Sequence, residues 1–256
     1  MSLFHRRGQF EDAASGWRGT ERMTTCLFLS FQSGAGVLPA GGETRQLEQL
    51  LRTIPKLQKA LVHTTTNADD PYVKDETPPQ LVLQLYFAGL YDLEAALSRT
   101  GRLGALASRG EFPCLASANV TEQAMIVRTF AVPEPARQDA YEMPSCSYLV
   151  SYEGEADDLN AWLGHYLETH TKHMANFPGI RELEVYTRVD WVSSTPWTRV
   201  NFMQRNKVAF DSARALTDAL HSPVRHAMRA DYNAFPPFSG PNNHYAMATR
   251  VIARRG

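Results

Sequence analysis

From residue 24 onward, apolar and polar positions follow two rhythms, a strand rhythm and a helical one, and these recur twice in the same order. Residues 25–31, with Cys26, Leu27, Phe28, Leu29 and Phe31, form a short apolar run of the kind a buried strand carries. Residues 45–61 change to the helical period, with Leu47, Leu50, Leu51, Ile54 and Leu57 on one face. A short strand over 62–66, a strand over 81–87, a helix over 92–107 carrying Leu93, Ala96, Leu97 and Leu103, and a strand over 124–132 complete the first run. After a proline-bearing connector the order restarts. It has a strand at 147–152, a helix at 157–176, strands at 181–191 and 199–210, a helix at 211–231 and a last strand at 243–252.

Each run reads β-α-β-β-α-β, the order of a ferredoxin-like unit. The expected fold is therefore α+β, built from two tandem ferredoxin-like repeats. An antiparallel sheet with both helices on one face leaves its other face uncovered. Packing the two open faces together gives an intramolecular barrel. The expected boundaries are an extension at 1–23, a first repeat at 24–132, a linker at 133–146 and a second repeat at 147–256.

Alternation divides the strands by face. In 181–191, Leu183, Val185, Val189 and Trp191 suit a helix-covered side, while Glu182, Glu184, Tyr186, Arg188 and Asp190 point the other way. In 81–87, Leu81, Leu83, Leu85 and Phe87 oppose Val82, Gln84 and Tyr86. The second sets face either a polar cavity or water, and Gln84, Tyr86 and Tyr186 are candidates for a polar pocket lining.

The helix at 157–176 carries the most chemistry. At about 100° per residue, Leu159, Trp162, Leu163, Tyr166, Leu167, Met174 and Phe177 share one broad face, and His170 lies near its middle. His173 sits on the edge and His165 points away. A histidine on an apolar face is either a hydrogen-bonded core residue or a proton carrier. Burial lowers its pKa toward the neutral, basic form. The acid–base reading makes His170 the base and has Tyr86 and Tyr186 polarise the substrate, with His173, Gln84, Arg188 and Tyr166 binding it.

Composition excludes several classes. The chain has 256 residues, 43% hydrophobic, and 26 Lys plus Arg against 27 Asp plus Glu, so no global field draws it to nucleic acid or an anionic membrane. No apolar run approaches the roughly 20 residues of a membrane span, and residues 1–22 lack a signal-peptide core, so a cytoplasmic protein is expected. Cys26, Cys114 and Cys146 form no C-x-x-C pair and read as buried apolar side chains. There is no dinucleotide fingerprint, P-loop, nucleophile elbow or H-E-x-x-H motif, and no metal site is expected from the pairs His170/His173 or His221/His226.

His170, eight residues before Pro178 and Gly179 and followed by a strand, resembles the EthD-like branch of the dimeric α+β barrel superfamily. Lys172 and His173 stand where that branch has Pro-Leu. The resemblance implies a barrel that most members build as a homodimer and that here forms within one chain, as a monomer or a homodimer of fused barrels. It implies a small-molecule ligand, aromatic or polyketide-like, and cofactor-free isomerase, cyclase, decarboxylase or monooxygenase chemistry. The alternatives are a non-catalytic binding or stress-associated protein of the same fold, and a haem enzyme like those of the superfamily's chlorite dismutase and dye-decolorising peroxidase groups.

Overall fold

The computed structural model describes residues 24–33, 41–73, 77–107, 111–116, 118–136 and 145–254; the expected N-terminal extension and most of the linker lie outside them. The first half runs β1 (Thr25–Gln32), α1 (Gly41–Thr53), β2 (Leu57–Thr65), β3 (Leu81–Phe87), α2 (Leu90–Leu97), a 3-10 turn (Arg102–Ala107), α3 (Pro113–Ala116) and β4 (Asn119–Phe130). The second runs β5 (Ser145–Tyr152), α4 (Leu159–His165), a π-helical turn (Tyr166–His170), α5 (Thr171–Met174), β6 (Glu182–Arg188), β7 (Thr198–Arg199), β8 (Gln204–Phe210), α6 (Ala213–Leu220), α7 (Pro223–Tyr232) and β9 (Asn242–Arg254).

Eight strands close a ring in the order β1-β3-β2-β9-β5-β8-β6-β4 and back to β1, every pairing antiparallel; the two-residue β7 lies parallel beside β4. Closure leaves none of the eight without a neighbour on each side. Because β2 pairs with β9 and β4 with β6, a single chain completes the barrel.

Three apolar cores follow from strand alternation. Leu27, Leu29 and Phe31 of β1 and Leu81, Leu83, Leu85 and Phe87 of β3 pack outward under α1 and α2. Leu183 and Val185 of β6 and Val208 and Phe210 of β8 pack under the helices of the second half. Cys26, Phe28, Val82, Tyr86, Met125, Leu149, Tyr186 and Met247 fill the barrel.

Helix ends differ from expectation where a backbone signal outweighs periodicity. The helix expected over 45–61 stops at Thr53, because Lys56 takes a left-handed turn (φ 61°), and Leu57 begins a strand. The helix expected over 92–107 ends at Leu97; Gly101 follows, where a Cβ would lie 2.1 Å from the carbonyl oxygen of Ala96. The helix expected over 211–231 divides at Ser222 and Pro223, since proline starts a helix readily but cannot continue one. The strand expected over 199–210 begins only at Gln204.

The barrel interior is filled with polar side chains in contact. Lys207, wholly buried, lies 2.8 Å from Glu182 and 2.9 Å from Glu184, and Lys59 lies 3.1 Å and 3.5 Å from the same two carboxylates. Tyr86 and Tyr186 donate to Glu184 at 2.6 and 2.5 Å, Gln84 donates to Tyr186 at 3.0 Å, and His63 lies 2.7 Å from the Gln84 carbonyl. Burial would raise the Glu184 pKa, but Lys207 and Lys59 override it and hold the carboxyl well below its usual range. The lining expected for Gln84, Tyr86 and Tyr186 is thus present, but they satisfy one another across a filled interior.

Candidate active site

A cavity of about 200 Å³ lies in the second half, between the outer face of the sheet and the helices, on the opposite side of the sheet from the barrel interior. Tyr148, Val150 and Tyr152 of β5 and Asn206 and Val208 of β8 form its floor; Tyr166, His170, Arg225, Met228 and Tyr232 come from the helices. The corresponding strand of the first half carries apolar side chains in close contact with its helices. Where β5 presents Tyr148, Val150 and Tyr152, β1 presents Leu27, Leu29 and Phe31, packed against Leu47, Leu51, Leu93 and Leu97.

The helix that carries His170 begins at Asp158, whose carboxylate accepts from the Ala161 amide at 3.0 Å. It widens into the π turn Tyr166–His170 and stops before Gly179, which takes φ 74°. Tyr166 and His170, four residues apart, share the buried face with ring centroids 4.9 Å apart.

His170 is 4% exposed, and its Nδ1 lies 2.7 Å from Oδ2 of Asp231 on α7. A carboxylate only accepts, so Nδ1 carries the proton and Nε2 keeps its lone pair. Nε2 has no protein partner among the described residues, and the ring lines the cavity. Burial drives the His170 pKa down to about 4, against the opposing pull of Asp231. The other oxygen of Asp231 accepts from His165 Nε2 at 3.0 Å. His165 therefore does not point into solvent as helical phase predicted, because α7 packs beside the π turn and brings Asp231 within reach.

A strap from the first half covers this site. Asp70 accepts from Arg225 at 2.8 Å and from Tyr148 at 2.7 Å; burial raises its pKa, but Arg225 and these hydrogen bonds bring the net shift below the usual value. Asp69 lies 2.7 Å from His221, and Tyr72 lies 2.5 Å from His226 Nδ1. These contacts give both histidines of the second candidate pair partners in the strap.

Of the residues singled out in the sequence, His170 and Tyr166 meet at the cavity, where Asn206 donates to the Tyr166 hydroxyl at 2.5 Å. Burial raises the Tyr166 pKa far above its ordinary value, so the hydroxyl stays protonated. Tyr86, Tyr186 and Gln84 lie inside the barrel, so the grouping of His170 with those tyrosines does not form: alternation sends them to the face away from the helix. Arg188 pairs with Glu155 at 2.9 Å near the end of β6, and His173 is not among the cavity residues. Asp231, Tyr232 and Arg225 escaped sequence reading. An acidic residue on the last amphipathic helix gives no local sign that it will meet a histidine 61 positions earlier.

Two buried neutral histidines make the fold acid-sensitive. His63 is pushed down to about 3 by burial and by Lys207, and His170 to about 4 by burial. Between about pH 4 and 6.5 the unfolded chain protonates both rings and the folded chain neither, so stability falls as acid is added, by up to roughly 1.4 kcal/mol per pH unit for each ring. Chemical denaturation at pH 7.5, 6.5, 5.5 and 4.5 is expected to show this slope, and His63→Gln to make it shallower by about 1 kcal/mol per unit. An unchanged slope in the variant would remove His63 from the account.

Among the described residues no helix is long and apolar enough to cross a membrane. No family model and no curated protein matches the chain. Among solved structures it is similar to an anthrone oxidase-like protein, at 11% identity over 92% of this chain and 95% of that one, TM-score 0.59. It is also similar to a protein of Fusobacterium nucleatum assigned as a monooxygenase, at 8% identity over 91% and 94%, TM-score 0.57. An ethyl tert-butyl ether degradation (EthD) family protein of Bacillus halodurans matches 39% of this chain and 96% of its own at 20% identity, with a TM-score of 0.31. The long matches and the closed antiparallel ring together show a mixed α+β fold built on an eight-stranded antiparallel barrel, which these neighbours share.

Proposed function

We propose that the protein is a cofactor-free enzyme that removes a proton from a small, flat, enolisable or phenolic aromatic compound in the second-half cavity, with His170 as base. The observation that carries this reading is the 2.7 Å bond from His170 Nδ1 to Asp231, which leaves the Nε2 lone pair for a ligand among Tyr152, Tyr166 and Tyr232. Asp231 fixes the tautomer and stabilises the imidazolium as it forms, and its bond to His165 keeps the carboxylate from turning away. The Tyr166 hydroxyl accepts from Asn206 and is hydrogen-bonded to the Tyr152 hydroxyl, both rings lining the cavity. The paired Tyr152 and Tyr166 hydroxyls then offer a donor to the oxygen on which substrate charge develops.

The anthrone oxidase-like neighbour supplies a concrete substrate class, because the anthrone methylene is acidified by its ketone and two flanking rings. Loss of its proton gives an anthrolate that reacts with dioxygen, and the balance is anthrone plus O2 giving anthraquinone plus water. A cavity of about 200 Å³ is below the roughly 300 Å³ at which drug-sized sites begin. A tetrapyrrole exceeds those ligands, so the residues of this cavity do not fit haem.

We also read the chain as a duplicated βαββαβ unit, 24–132 and 147–256, in which the first copy has filled its pocket with leucine and phenylalanine and the second has kept it open. The EthD-like placement of His170 before Pro178 and Gly179 agrees with the second copy being the active one.

The reading is tested by anthraquinone formation from anthrone in air-saturated buffer. Wild-type protein is expected to accelerate it, and Asp231→Asn to lower kcat by about 10²- to 10⁴-fold, since the amide can present the wrong group to Nδ1. Removing the carboxylate also moves the His170 pKa further down, so any acid limb of the rate profile shifts to lower pH. Tight anthrone binding without turnover would make the protein a binder; neither binding nor turnover by the folded protein would overturn the reading.

A further inference from the structure

The geometry points to a second binding site, inside the barrel and separate from the His170 cavity, that takes a small monovalent anion at Arg205. Arg205 projects from β8 on the same face as Lys207, toward the barrel interior. Its guanidinium lies 4.8 Å from the Phe28 ring and 4.4 Å from the Phe202 ring. Its Nε donates to Gln123 at 3.3 Å, and Gln123 is held in that orientation by donating its own amide to the Phe202 carbonyl at 2.9 Å. One of five guanidinium N–H groups is thereby used. Among the described residues no carboxylate lies within ion-pair distance of the others.

The surroundings are arranged for a guest. Arg205 borders a recess of about 20 Å³ shared with Phe28, Ser30, Leu149, Ser151 and Tyr245. A single water needs about 10–15 Å³, so the recess holds a monatomic ion or the end of one carboxylate and little more. The hydroxyls of Ser30 and Ser151 border the same recess and can donate to such a guest.

Charge points the same way. Lys59 and Lys207 pair with Glu182 and Glu184 and His63 is neutral, while Arg205 feels the Glu153 carboxylate only through space and forms no ion pair with it among the described residues. Its pKa is lowered to about 10 by burial, so it stays charged at neutral pH and carries a desolvation cost that an anion would offset. The aromatic walls screen it only in part. Chloride and the carboxylate of a small organic acid share the required size and charge.

The test is thermal unfolding of the full chain at constant ionic strength, with sodium chloride, sodium formate or sodium sulfate varied. Chloride or formate is expected to raise Tm by on the order of 3 °C along a saturating curve, with sulfate giving less. Whichever of the first two saturates identifies the source. Arg205→Met is expected to abolish the saturating part. An equal rise in that variant, or a linear rise common to all three salts, overturns the site. Should Arg205→Met fail to fold, chloride-35 line broadening by the wild-type protein decides the matter. Broadening relieved by formate and weakened in Ser151→Ala supports the site, and no broadening together with no saturating effect of formate overturns it.

Discussion

Replacing His170 with glutamine is expected to lower kcat for proton abstraction by about 10²- to 10⁴-fold while leaving KM within a few-fold of wild type. The amide keeps a polar side chain near Asp231 but has no basic nitrogen. The pH dependence carries the sign: His170 is basic above its pKa of about 4, so wild-type kcat is expected to be flat from pH 5.5 to 8 and to fall only toward pH 4. A base with so low a pKa gives little driving force against an ordinary C–H bond. It is matched to a substrate whose proton is already acidic, which is why phenolic and enolisable aromatics suit the pocket better than simple ketones. A variant that turned over at the wild-type rate while folded would remove His170 from the mechanism.

Lys207→Met is expected to destabilise the protein by about 3–5 kcal/mol, lowering Tm by on the order of 10 °C. Lys207 is fully buried within 2.9 Å of both Glu182 and Glu184, and Glu184 is itself only 5% exposed. Without the ammonium, Glu184 keeps Lys59 at 3.5 Å and the two tyrosine hydroxyls, too little to offset its desolvation. Protonating Glu184 relieves the imbalance, so its pKa is expected to rise toward and past the ordinary carboxylate range in the variant. The double variant Lys207→Met with Glu184→Gln is expected to regain part of the loss, since no uncompensated charge remains. Equal unfolding of the single and double variants would show that the ammonium acts through packing alone.

Much of this architecture is visible in periodicity. Alternation in 81–87 and 181–191 sorts Leu83 and Leu183 to helix-covered faces and Gln84, Tyr86, Glu184 and Tyr186 to the barrel, and the structure keeps that sorting. Helical phase marks His170 as buried, which it is. What periodicity cannot convey is distance across the fold. It assigns the histidine and the barrel tyrosines to polar faces without revealing that those faces lie on opposite sides of one sheet. The partner of His170 is set by how α7 packs against the π turn, a long-range contact with no local signature. His165, the last residue before the π turn, finds Asp231 in the same way, because α7 packs there.

The most direct test of the central claim isolates the proton from everything that follows it. Anthrone in deuterated buffer under anaerobic conditions exchanges its methylene hydrogens, and proton NMR follows the loss of that signal. Catalysed exchange by wild-type protein, reduced at least 100-fold in His170→Gln of unchanged fold, is the predicted result. Catalysed exchange at the same rate in both proteins would contradict it.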